Sequence, residues 1–166
     1  MPRRADVSLL YDLFVVSQRM RRVLADAMAG SGMRPDEYAV YSLLFMYGPM
    51  TATEMAEQLG LPLSTVLDYA NAIDAAGHLH RVRHPDDGRA VQLALNSRGV
   101  AAHNRANKHW EVVRKEIEGS LRMPKGQVRA ALAALDDAAI AAALSAGKVR
   151  ARSRSRRLEL VESRDG

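Results

Sequence analysis

The chain has 166 residues, which is enough for one compact domain with a buried core and short for two. It contains no Cys, and this excludes disulfides, thiolate metal sites and any sensor that works by oxidising a thiol. The net charge of +5 lies at the end of the chain, since residues 148–166 hold seven Lys and Arg against three acids while residues 1–147 hold 17 against 16, so charge alone does not identify a nucleic-acid binder.

No segment has the composition of a membrane span or of a signal peptide. The longest uncharged apolar run, residues 38–47, is about half of the ~20 residues that cross a bilayer. The first residues lead directly into an amphipathic pattern that contains acids, and not into an apolar signal core. We therefore expect a cytoplasmic protein without a membrane partner.

Residues 7–29 have the spacing of a long amphipathic helix, which Gly30 and Gly32 end. Apolar positions recur in steps of four and three, and a second stripe that contains Leu10 and Phe14 runs beside the first. Because two such faces exceed what a small lobe covers, the pattern predicts pairing with a second copy of the chain. The main stripe comprises Leu9, Leu13, Val16, Met20, Val23 and Ala27.

Three shorter helices are predicted next. The first begins at Pro35, a residue suited to a first helical turn, and ends near residue 47. Thr51 and Glu54 have capping-box spacing and predict a second helix over residues 52–58. A third helix is predicted from residue 63 to 76, with an inward face of Val66, Leu67, Ala70 and Ile73.

After this helix the apolar period changes to that of a strand. Leu79 and Val82 precede a turn of Pro and Asp-Gly chemistry at residues 84–88, and alternation resumes from Val91 to Leu95. This pattern is typical of a β-hairpin.

Two long helices are predicted after the hairpin. Asn96 is placed to cap a helix over residues 97–121, and Pro124 begins a last helix that ends near residue 146. Residues 148–166 form a basic tail that we expect to be mobile. The predicted fold class is mainly α with a small β-hairpin wing, in the form of a winged helix-turn-helix plus a helical dimerisation region.

A helix pair joined at Gly60 and followed directly by a hairpin has the geometry of a duplex-DNA binder. The second helix of the pair fits a major groove, and the hairpin reaches the flanking backbone with basic residues. The candidate groove face comprises Leu63, Ser64, Thr65, Asp68 and Tyr69. The hairpin residues expected near phosphates are His80, Arg81, Arg83, His84 and Arg89.

Four segments resemble the multiple antibiotic resistance regulator (MarR) family of transcription regulators: residues 51–61, 64–66, 75–79 and 84–99. The last segment is similar to the family's wing, with Asp87 and Arg89 at its characteristic positions. The resemblance covers about residues 7–146.

The resemblance implies a homodimer that binds double-stranded DNA at a pseudo-palindromic operator, most simply as a repressor. A MarR-type domain would span residues 1–147, with dimerisation helices over 7–29 and 97–146 and the winged helix-turn-helix over 35–95. Arg89 would enter the minor groove, and Asp87 would hold the wing's loop in place. The resemblance also implies a small phenolic or lipophilic effector, for which Tyr41, Phe45 and Trp110 would line a cavity.

Three alternatives stay open at this point. Asp68 on the groove face and the nearly neutral body are compatible with a winged-helix protein interaction module that does not read DNA sequence. The aromatic residues fit core and dimer packing as well as a ligand cavity, and His78, His80 and His84 fit surface positions better than a metal site. No catalytic constellation is present in the sequence, so we expect no enzyme activity, cofactor or bound metal.

Overall fold

A computed structural model of the chain describes residues 8–83 and 91–162, with side chains as far as residue 145. The chain forms two compact units, residues 1–117 and 118–166. The predicted fold class is confirmed, because the described residues form helices and one two-stranded antiparallel sheet. In chain order the elements are α1 (Leu9–Met28), α2 (Pro35–Tyr47), α3 (Ala52–Leu59), α4 (Leu63–Ala75), β1 (Leu79–Arg83), β2 (Val91–Leu95), α5 (Ser97–Gly119) and α6 (Lys125–Glu162).

The ends of the helices follow local capping chemistry. The Thr51 hydroxyl accepts a hydrogen bond from the Glu54 backbone N–H at 3.2 Å, and the Glu54 carboxylate accepts one from the Thr51 N–H at 2.7 Å. This is the predicted capping box of α3. Gly60 ends α3 in a left-handed conformation with φ of 62°, a conformation that a residue without Cβ adopts at low cost.

The predicted hairpin is confirmed by the pairing of its two strands. Leu79 lies opposite Leu95 and Arg83 lies opposite Val91 in an antiparallel register. Met50 adds a single bridge to the outer side of β2, where it exchanges two backbone hydrogen bonds with Leu93 at 3.0 and 2.7 Å. This bridge, which no sequence pattern indicates, connects the segment between α2 and α3 to the sheet.

The core of the first unit lies between α2, α3, α4 and the sheet. Val40, Met55 and Val66 are fully buried in it. Leu67 was predicted to share the inward face of α4, but this prediction is wrong, since 43% of Leu67 is exposed. The inward positions Val66, Ala70 and Ile73 follow steps of four and three, and Leu67 lies one residue, about 100°, away from that face.

The predicted end of the last helix is also wrong. α6 continues to Glu162 instead of ending near residue 146, so residues 148–162, expected in a mobile tail, have helical backbone. Gly147 does not stop the helix because one glycine costs only about 1 kcal/mol relative to alanine. Eleven of the fifteen residues 148–162 are Arg, Lys, Leu, Glu or Ala, which favour helix, and no Pro follows Pro124.

None of the helices in the described ranges combines the length and the apolar character that crossing a bilayer requires.

Candidate nucleic-acid interface and ligand pocket

One face of α4 is free of the core and lies open along the length of the helix. Leu63, Ser64 and Asp68 are exposed, as predicted for a groove face, and Thr65 is half-buried. Leu67 and Asn71 extend the same exposed stripe, because they follow Ser64 by one and two helical turns. Neither residue is in the groove face predicted from the sequence, although their spacing from Ser64 indicates them.

Tyr69 is predicted in the groove face, but its side chain leans towards the start of α2. Its hydroxyl donates to the Asp36 carboxylate at 3.5 Å, and the Arg34 guanidinium lies 5.9 Å from the centre of its ring. Burial, followed by the charge of Asp36, raises the pKa of the Tyr69 phenol. Tyr69 therefore connects α4 to α2 at the edge of the exposed stripe.

The first strand of the hairpin carries two exposed arginines, one of which contacts α4. Arg81 and Arg83 are exposed and lie two positions apart, on one face of β1. The Arg81 guanidinium forms an ion pair with the Asp74 carboxylate of α4 at 2.9 Å. The charge of Arg81 is thus partly neutralised by the helix beside it. The predicted contacts His84, Asp87 and Arg89 lie outside the described residues.

The base of the hairpin is fixed to α5 by Asn96. Its side-chain amide donates to the carbonyls of Gly77 at 2.9 Å and Leu79 at 3.2 Å. Its side-chain oxygen accepts from the backbone N–H of Gly99 at 3.0 Å, which is the capping role predicted from the sequence. One side chain therefore holds the end of α4, the start of β1 and the start of α5 together.

Gly99 allows the close approach that this arrangement requires. A Cβ at position 99 would lie 2.4 Å from the backbone oxygen of His78. Real Cβ contacts start near 3.0 Å, so only glycine fits without a shift. No local pattern indicates this contact, because the two residues are 21 positions apart.

A pocket of about 500 Å³ lies between α2 and α5 in the first unit. The structure brings Phe45 and Trp110 together in its wall, as predicted. Tyr41 is on another side of α2, where its hydroxyl forms a hydrogen bond of 2.7 Å with Nδ1 of His78. The lining residues are Tyr38, Ala39, Ser42, Leu43, Phe45, Met46, Leu59, His103, Asn107, Trp110 and Glu111.

Tyr41 instead lines a separate pocket of about 430 Å³, together with His78 and Arg105. Burial raises the pKa of its phenol. Its hydrogen bond gives His78 a structural partner, and in the described part of the chain no three His, Cys, Asp or Glu side chains are grouped to hold a metal ion.

His103 is buried at the wall of the first pocket, between two aromatic rings. Its ring stacks on Phe45, with centres 4.3 Å apart, and on Tyr38 at 5.3 Å. Nε2 lies 3.2 Å from the Ser42 hydroxyl, and Nδ1 lies 3.4 Å from the side-chain oxygen of Asn104. Burial lowers the pKa of His103, and the hydrogen bond to Asn104 opposes this only in part. The imidazole is therefore neutral near pH 7.

These elements define the class of the protein. A helix pair with an exposed second helix, followed by an antiparallel hairpin, makes the first unit a winged helix-turn-helix. No protein-family profile and no curated protein sequence matches the chain significantly.

Solved structures match most of the chain. The transcriptional regulator MosR of M. tuberculosis, solved in complex with DNA, has 21% identity and a TM-score of 0.69, over 81% of this chain and 97% of that one. The transcriptional repressor CouR bound to a 23-mer DNA duplex has 26% identity and a TM-score of 0.64, over 80% and 92%. CouR of Rhodococcus jostii RHA1, bound to p-coumaroyl-CoA, has 18% identity and a TM-score of 0.70, over 82% and 96%.

MosR and CouR are MarR-family transcriptional regulators. The chain has the winged-helix fold of this family, and the resemblance predicted from its sequence is confirmed at the level of the fold.

Proposed function

We propose that the protein is a DNA-binding transcription regulator that acts as a homodimeric repressor on a pseudo-palindromic operator. The observation that carries the proposal is the exposed stripe of α4, with Ser64, Leu67, Asp68 and Asn71, beside a strand that bears Arg81 and Arg83. A helix with one open polar face fits a major groove, and neighbouring arginines suit phosphates. The solved complexes of MosR and CouR with DNA support this use of the fold.

The homodimer is supported by the apolar side chains that α1 leaves uncovered. Leu10 is 75% exposed and Phe14 is 60% exposed, and Leu9 and Val16 extend the same exposed region. In the second unit, α6 likewise exposes Leu132, Ile140 and Leu144. Because monomeric proteins rarely expose large contiguous apolar surfaces, we propose that these helices pair with those of a second copy. Two α4 helices would then reach half-sites roughly 10 base pairs apart.

We further propose that the pocket between α2 and α5 receives a small effector that releases the operator. Its volume of about 500 Å³ is in the usual range for small ligands. Its walls are largely apolar and aromatic, with Phe45 and Trp110 among them. The CouR complex with p-coumaroyl-CoA supports a ligand-binding role for this fold. A protein that acts on DNA in this way would work in the cytoplasm.

Fluorescence anisotropy with the DNA upstream of the protein's own gene tests the proposal. A labelled duplex from that region and a scrambled duplex are titrated with purified protein at several salt concentrations. We expect tight binding to the first duplex alone at moderate salt, with a linear decrease of log affinity against log salt.

Arginine variants test whether DNA affinity depends on the arginines of the wing and not on basic residues elsewhere on the surface. Arg83→Ala, and Arg89→Ala at the position that the resemblance places in the minor groove, should each lower affinity and flatten the salt dependence by about one unit of slope. Arg129→Ala on the exposed surface of α6 is the matched control and should change neither. A protein that stays monomeric and ignores both duplexes at low salt would refute the proposal, and a dimer that ignores them would favour a protein interaction module.

A further inference from the structure

The pocket between α2 and α5 is formed by two facing helical stripes of mixed aromatic and polar character. On α5, His103, Asn107 and Glu111 follow one another in steps of four, with Trp110 beside them. The α2 side contributes the rings of Tyr38 and Phe45. Tyr38 and Trp110 have ring centres 4.9 Å apart, and the Tyr38 hydroxyl donates to Asn107 at 2.6 Å. Several aromatic rings therefore border one cavity.

The charged groups in the lining of this cavity do not favour the binding of an acid. Glu111 is an ionisable acid in the lining, and neither Lys nor Arg is among the described lining residues. The Glu111 carboxylate accepts from Arg114 at 2.8 and 2.6 Å. This hydrogen bonding lowers the pKa of Glu111, so the carboxylate is ionised near pH 7. Arg114 itself is directed to Glu111 and does not line the pocket.

His103, the remaining ionisable nitrogen base of the lining, is neutral because it is buried. The groups that face it from α2 are Tyr38, Ser42 and Phe45, and those from α5 are Asn104 and Asn107. None of these carries a charge near pH 7, and Glu111 lies two helical turns further along α5. A bound carboxylate would thus lose its hydration without a positive partner in the wall.

The same lining favours the binding of a cation. The π systems of Tyr, Trp and Phe rings attract cations, and the lining contains the carboxylate of Glu111, whose charge is partly neutralised by Arg114. We propose that this pocket selects aromatic or lipophilic cations, such as arylalkylammonium and quaternary ammonium compounds, over aromatic acids of the same size. The inference rests on the proposed effector role of the pocket and specifies the chemical class that it takes.

The protein contains a built-in reporter for this proposal, since Trp110 is its single tryptophan. We would excite the full-length protein selectively at this residue and titrate it with benzylammonium, benzyl alcohol and phenylacetate. These probes share one ring and differ in charge. We expect the cation to bind at least tenfold more tightly than the acid, with the alcohol between them.

Variants of Glu111 and Arg114 test whether these residues determine the preference for cations over acids. Glu111→Gln should reduce the ratio of cation to acid affinity at least threefold, whereas Glu116→Gln, an exposed residue on another side of α5, should leave it unchanged. Arg114→Gln should keep or increase the cation preference. If phenylacetate binds to the wild type at least as tightly as the cation, and Arg114→Gln abolishes that binding, the pocket uses Arg114 and the proposal is wrong.

The pH dependence gives a second, independent measurement. As pH falls through the pKa of His103, the imidazole becomes positive and should weaken cation binding while strengthening acid binding, and His103→Phe should remove both trends. Tighter binding of phenylacetate at Trp110 would overturn the ligand class but leave the effector pocket in place. If no probe changes the emission of Trp110 or the thermal midpoint, the cation preference and the effector pocket are both refuted. The DNA titration tests operator binding separately.

Discussion

The contact between Gly99 and the turn before β1 offers a quantitative test of the structure. Gly99→Ala would place a Cβ 2.4 Å from the His78 carbonyl oxygen, about 1 Å closer than the 3.4 Å at which ordinary contacts begin. The neighbour is a backbone atom, so it cannot rotate away. We therefore expect overpacking to cost about 2–3 kcal/mol, the upper part of its usual range, while the better helix propensity of alanine returns about 1 kcal/mol.

The expected net loss is about 1–2 kcal/mol of unfolding free energy, which corresponds to a decrease of roughly 2–8 °C in the thermal midpoint for a chain of this size. Urea or thermal denaturation at one fixed protein concentration measures it, because dimerisation makes stability depend on concentration. Gly119→Ala in the same helix is the matched control, since a Cβ there meets nothing within 4 Å. Equal stability of Gly99→Ala and the wild type, with an unperturbed control, would refute the packing described.

Three further predictions concern neighbouring contacts. Asn96→Ala removes the cap of α5 and leaves the Gly77 carbonyl without this donor, so the unfolding free energy in urea should fall by about 1–2 kcal/mol, and a loss below 0.3 kcal/mol would contradict this. Asp74→Asn releases Arg81 from its ion pair and removes a negative charge from α4. The affinity for scrambled duplex at low salt should therefore rise, while the free energy of unfolding changes by less than about 1 kcal/mol. Weaker DNA binding would argue against a phosphate role for Arg81. The pKa of His103 in the folded protein is lowered below 6.5, so between the two pKa values the unfolded chain binds more protons than the folded one. The stability that the neutral imidazole contributes is therefore present above pH 6.5 and is lost as pH falls towards the folded pKa. In a series of denaturation curves at decreasing pH, the free energy of unfolding should fall less for His103→Phe than for the wild type.

The features that the sequence predicted correctly are those determined within a few residues. The Thr51–Glu54 capping box, the stop at Gly60 and the cap at Asn96 each depend on hydrogen bonds between near neighbours. The change from helical to strand period likewise located the hairpin without knowledge of its partners. Such local chemistry is visible in one sequence because its partners are adjacent in the chain.

The features that were missed depend on partners far along the chain. The bridge of Met50 to Leu93 joins residues 43 positions apart. The place of Tyr41 is decided by its bond to His78, which no spacing in α2 indicates. The apolar side chain of Leu67 fits the predicted inward face of α4, yet it lies on the exposed face, and folded proteins expose some apolar side chains. Composition could not distinguish these cases.

The geometry of α5 connects the two proposed sites. Its first turn, at Asn96 and Gly99, holds the end of α4 and the base of the hairpin, and one turn later, about 6 Å along the axis, His103 lines the pocket. A ligand that displaces the ring of His103 therefore acts on the same rigid element that positions the exposed helix. If such a ligand weakens operator binding by some factor, the operator must weaken ligand binding by the same factor, because coupling free energies are reciprocal. Titrating the probe with and without operator, read at Trp110, then measures this coupling from the pocket side, and equal ligand affinities in the two titrations would mean that the helix transmits nothing between the sites.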